Sequence, residues 1–143
     1  MKRKPTYDDA NLILRLFELR REDKMREARD WFVAHCRYKT MEELNQACPP
    51  GSATNAYLRM VSSYWEMVAG FITAEVLNPE LFFQSGMEML VVYERLRALL
   101  PQMRQFNQNP MYFHNLETVS KSFIEWLNQR APEAHAAFVA RIG

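Results

Sequence analysis

Glu66 is the charge whose setting most suggests chemistry. It lies in the most apolar stretch of the chain, directly between Trp65 and Met67. A carboxylate buried there would raise its pKa or take a partner, and both situations recur at functional sites. Arg59, two helical turns earlier, and Arg104 are the cations that could join it as polar anchors for a ligand held between helices. At helical spacing Glu66 also shares a polar strip with Arg59, Ser62, Ser63 and Gly70. A solvated or ion-paired glutamate is therefore the plainer account.

Other constellations are thinner. The three histidines, His35, His114 and His135, never stand three residues after a glutamate, so the paired Glu-x-x-His pattern of di-iron bundles is missing. His114 and Glu117 share a helical face, but two ligands do not make a metal site. Cys36 follows His35 directly, and adjacent helical residues diverge by about 100°, so the pair cannot act as nucleophile and base. Cys36 and Cys48 lack zinc spacing and read as indifferent thiols in a cytoplasmic protein. The four scattered glycines form no phosphate-cradling loop. The sequence thus assigns no catalytic residue, no metal and no cofactor.

Charge and size bound the remainder. The 143 residues carry 18 Lys+Arg against 17 Asp+Glu, a formal net charge of +1. That total conceals a basic segment over residues 1–40 followed by an acidic one. Glu22 and Asp23 precede Arg26 at helical pair spacing, which suggests an ion-paired surface, so nucleic acid is not the favoured partner. The start, Met-Lys-Arg-Lys-Pro, runs into Thr6-Tyr7-Asp8-Asp9 where a secretory signal needs an apolar run. The stretch Tyr64 to Phe83 is interrupted by Glu66, Glu75, Glu80 and Asn78-Pro79, too often for a membrane span.

The elements that must position these residues are helical throughout. Residues 1–6 form a flexible basic tail, and Asp8 or Asp9 caps a first helix with Leu12, Ile13, Leu16 and Phe17 inward. A second apolar set, Met25, Ala28, Phe32 and Cys36, is rotated by about a third of a turn. The chain must therefore break within Arg20–Lys24. Thr40 caps a short helix that ends at Pro49-Pro50-Gly51. A helix over about 54–77, apolar around most of its circumference, occupies the centre of the bundle. Its narrow strip of Ser62, Ser63, Gly70 and Thr73 would let another helix approach closely, from this chain or from a second copy.

Pro79, Pro110 and Pro132 each stand where a helix can begin, since the first turn needs no amide hydrogen. The helix from Pro79 points Phe82, Gly86, Met89, Leu90, Tyr93, Leu96 and Leu100 inward. It bends at Pro101 and runs on through Met103 and Phe106. The expected fold is an all-α single domain over residues 1–143, a bundle of six to seven helices. Between Pro101 and Asn115, Phe106 and Tyr112 stand among six Asn and Gln residues, a composition suited to recognition.

Several segments together resemble a known kind of protein. Leu-Arg-Leu-Phe-Glu-Leu-Arg-Arg (residues 14–21), Met-Arg-Glu-Ala-Arg-Asp-Trp-Phe (25–32) and Ser-Tyr-Trp-Glu-Met-Val (63–68) are similar to small bacterial helical domains of unknown function. Asn-Pro-Glu-Leu-Phe-Phe (78–83) and His-Asn-Leu-Glu (114–117) extend the likeness over most of the chain. The resemblance implies a bacterial helical protein and carries over no catalytic or binding residue.

Two functions follow as expectations. The first is a self-associating interaction or scaffold protein, with Ser63, Gly70, Phe106 and Tyr112 at its interface and a protein chain as partner. The alternative is a small-ligand binder or enzyme with an inter-helix pocket at Glu66, Arg59 and Arg104.

Overall fold

The computed structural model describes residues 3–143, and among them every regular element is helical. Nine helices form one compact domain among the described residues, rather than the six to seven that the sequence suggests. The difference arises where proline, glycine or a left-handed residue divides a long apolar pattern.

Helix α1 (Tyr7–Arg20) begins at Thr6, not at Asp8 or Asp9. Asp9 is the third residue of the first turn, and its carboxylate reaches back to the Thr6 amide at 2.7 Å. The tail segment does not run free at Arg3. Its guanidinium forms a two-pronged pair with Asp9, and its carbonyl accepts from Asn78 Nδ2 at 2.9 Å. Met1 and Lys2 lie outside the described residues.

The chain breaks after Arg20 as the rotated apolar sets require, and α2 (Asp23–His35) follows. Glu22 caps it by accepting from the Met25 amide. The expected Glu22–Arg26 and Asp23–Arg26 pairs do not form. Instead Arg29 grips Glu88 with two hydrogen bonds, and Arg20 approaches the same carboxylate at 3.4 Å. Two charges of the basic segment thus turn inward. Thr40 caps α3 (Met41–Ala47) through the Glu43 amide, as its side chain suggests.

Helix α4 (Ala53–Thr73) is the core, packed most extensively against α2 and α8. Val61, Trp65, Val68 and Ile72 are buried along it. It ends four residues earlier than the apolar pattern suggests. Glu75 adopts a left-handed φ of 63°, and the Val76 and Leu77 amides both return to the Phe71 carbonyl. That closure satisfies the last carbonyls of the helix and throws Val76 out to 57% exposure.

The single helix expected from Pro79 to Phe106 is three helices. Pro79 does open α5 (Pro79–Phe83), capped by Asn78, but the chain turns at Gly86 before α6 (Glu88–Leu96). Pro101 falls in the first turn of α7 (Leu100–Phe106). A proline ring clashes with the carbonyl four residues back, so α6 stops at Arg97 instead of bending onward. Phe106, which continues the apolar spacing from Met103, is 85% exposed.

Helix α8 (His114–Arg130) starts four residues after Pro110, because Phe113 is left-handed and residues 109–113 form turns. Pro132 likewise precedes α9 (Ala134–Ile142) by a turn. Phe83 stacks on Phe123 at 4.3 Å between ring centres, Phe82 and Trp126 lie against the pair, and Trp65 joins through Phe82. This aromatic cluster locks α4, α5 and α8 together, and edge-to-face and stacked rings add to plain burial.

Candidate functional site

Glu66 is half-buried on the side of α4 that faces the start of α8. Its Oε1 accepts the Leu116 amide at 2.8 Å, and its Oε2 accepts from Asn115 Nδ2 at 3.0 Å. The first amides of a helix have no partner within it, and their partial positive charge favours a carboxylate. Phe113, at the cap position, supplies no side-chain acceptor, so Glu66 caps α8 from another helix.

The polar strip of α4 receives that same helix. Thr73 Oγ1 donates to Asn115 Oδ1 at 2.8 Å, and Asn115 Nδ2 lies 3.6 Å from where a Cβ on Gly70 would stand. Gly70 therefore admits α8 of the same chain. Ser62 and Ser63 return their hydroxyls to the carbonyls of Leu58 and Arg59.

The three candidate ligand anchors are not brought together. Arg59 is exposed and bonds Asn55 within α4. Arg104 donates from Nε to the Tyr112 carbonyl at 2.9 Å and from Nη2 to Glu117 at 3.1 Å, tying down the α7–α8 connection. Tyr112 packs half-buried against Phe113, with ring centres 4.4 Å apart. Of the four candidate interface residues, Ser63 and Phe106 are exposed, and Phe106 alone presents a large apolar surface.

Two concave regions stand beside these residues. The first, of about 490 Å³, lies between the end of α4, α5 and the first turns of α8. Thr73, Glu75, His114 and Ser122 are on its wall, with Ile72 and Phe83 among its apolar residues. The second, of about 430 Å³, separates α3 from α7 and is lined by Met41, Asn45, Gln102, Gln105 and Phe106.

A residue that sequence reasoning passed over is a buried cation. Arg95 is only 8% exposed and has no carboxylate against it. Its Nη1 donates to the carbonyls of Phe32, Val33 and Cys36, and its Nη2 to that of Ile142. Those carbonyls end α2 and α9, where the helix dipole is negative and favours a cation. Burial nevertheless pulls its pKa below the usual arginine value, with the Arg37 charge adding to the effect. Its position in α6, surrounded by Leu90, Val92, Tyr93 and Leu96, marks it as facing inward, which was the available signal.

Cys36 and Cys48 are both free and buried. Burial pushes the Cys36 thiol up to about 12, with Cys48 adding to the shift, so neither serves as a ready nucleophile. Among the described residues no three His, Cys, Asp or Glu side chains gather as a metal site, and no helix is long and apolar enough to cross a membrane.

Fold and site together define a compact all-helical domain in which ends of α2, α8 and α9 are satisfied by side chains of other helices. The chain belongs to the DUF4760 family, a domain of unknown function, whose model matches residues 5–126. That span takes in α1 to α7 and most of α8, while α9 lies beyond it. No curated protein and no solved structure matches the chain.

Proposed function

We propose that this chain is a non-catalytic interaction domain that associates with a second copy of itself through the α3–α7 face. The observation that carries the reading is Phe106, 85% exposed at the rim of the groove that also holds Met41. A large ring left in water beside an apolar depression is the kind of anchor that dominates protein interfaces. Gln102, Gln105 and Asn45 around it supply a polar rim of the type that interfaces use. A bacterial, cytoplasmic setting belongs to the same reading. The alternative, a ligand anchored by Glu66, Arg59 and Arg104, is less well supported, because Glu66 and Arg104 are engaged by α8 and the α7–α8 connection.

Light scattering over a range of concentrations tests the proposal. The wild-type protein is expected to self-associate, and Phe106→Asp to shift the equilibrium to monomer without lowering the melting temperature. A strict monomer at every concentration, indifferent to Phe106→Asp, overturns it.

A further inference from the structure

Glu75 occupies the one position at the end of α4 where glycine would be favoured. Its φ of 63° is left-handed, a conformation that crowds any residue with a Cβ and leaves glycine unhindered. The exposed carboxylate there makes no hydrogen bond or ion pair among the described residues. Arg3, whose charge senses Glu75, is engaged bidentately by Asp9. Glu75 instead lines the 490 Å³ groove between α4, α5 and α8.

The composition of that groove restricts what could fill it. Its wall contains one carboxylate, one histidine (His114) and neither lysine nor arginine, so the one permanent charge on it favours a positively charged group over an anion. The usual reason for an anion to settle beside α8, the free amides of its first turn, is weakened because Glu66 already accepts one of them. Half-buried Pro79, with the edges of Ile72, Phe83 and Val119 that remain accessible beneath it, gives the groove an apolar floor that a bare inorganic cation would not use. Thr118 and Ser122 offer hydroxyl acceptors on α8, where a second or third N–H could be satisfied. The volume falls within the range of small-molecule sites.

We propose that this groove binds a small organic ammonium ion with an apolar body, its charged head on Glu75 and its body against Phe83 and Val119. This site is separate from the α3–α7 face, so either can fail without the other.

The probe is 2-phenylethylamine, with 2-phenylethanol and phenylacetate as neutral and anionic counterparts of similar shape, followed by amide NMR shifts in the full chain. The amine is expected to give saturable shifts at the end of α4 and the start of α8, with the two counterparts at least about tenfold weaker. Loss of a charge-assisted hydrogen bond predicts a weakening of about tenfold or more in Glu75→Gln. Glu75→Gly provides the control against misfolding. Glycine suits the left-handed backbone, so this variant should melt at a higher temperature than wild type and still lose the preference for the amine. No saturable shift with the amine, equal binding of the three probes, or undiminished binding to Glu75→Gln or Glu75→Gly each overturns the proposal.

Discussion

The Glu66 carboxylate accepts the backbone amide of Leu116 at 2.8 Å, across 50 residues of sequence. A helix whose own cap residue, Phe113, offers no acceptor is thereby capped from the middle of another helix. The contact joins the polar strip of α4 to the start of α8, which also lines the groove beside Glu75.

Replacing Glu66 by alanine should lower stability by about 1–2 kcal/mol, the size of a lost helix cap with hydrogen bonds to a charged acceptor. Glutamine keeps one acceptor oxygen and should lose less. Urea denaturation measures both. At Gly70 the same contact predicts a graded series. Alanine fits at ordinary van der Waals distance from Asn115, so it should be neutral or stabilising, whereas leucine should displace α8 and destabilise.

Arg95→Met should be among the most damaging single changes, at about 3 kcal/mol or more. It removes the guanidinium shared by the carbonyls of Phe32, Val33, Cys36 and Ile142, of which Phe32 keeps the Cys36 amide. Lysine restores the charge without the planar fork and should recover only part. Hydrogen exchange should localise the loss to the ends of α2 and α9.

Asp9 predicts an acid-side loss of stability. Hydrogen bonding to the Arg3 guanidinium holds its carboxyl well below the usual value of 3.8. Because the folded pKa is depressed, the unfolded chain binds more protons between the two values. Its contribution is thus fully present above the ordinary carboxylate range and is lost as pH falls through that range toward the folded value. Asp9→Asn should be less stable than wild type at neutral pH, and the gap should narrow on acidification. Denaturation midpoints at about pH 6 and about pH 2.5 would show it.

Gly86→Ala tests a steric requirement. A Cβ at this position would collide with the buried ring of Phe82, which cannot move without disturbing Trp65 and Phe123. Overpacking of this kind costs about 2 kcal/mol. A thermal melt unchanged by the substitution would mean that the ring moves freely.

Much of the fold was legible because its signals are local. The break after Arg20 follows from two apolar sets that one straight helix cannot bury together. Thr40 and Asn78 cap the helices they precede, and the buried row Val61, Trp65, Val68 and Ile72 follows the helical period. Phe106 continues the spacing of Met103, yet α7 ends there and leaves its ring at the surface. Pro110 was misplaced because a proline permits a helix start without imposing one, and two left-handed residues, Gln108 and Phe113, hold the intervening turns.

What the sequence by itself determined was therefore the all-helical class, the break after Arg20 and the buried row of α4, since side chains three and four apart fix these within a single segment. Which helix meets which face was decided only in the tertiary structure. Glu66 could be seen as a carboxylate on an apolar helix, but not as the cap of α8. Arg95 could be seen among apolar neighbours, but not as the donor that closes both α2 and α9. A helix end leaves its amides or carbonyls unpaired whatever the sequence. Only the packed chain brings the distant side chain that satisfies them.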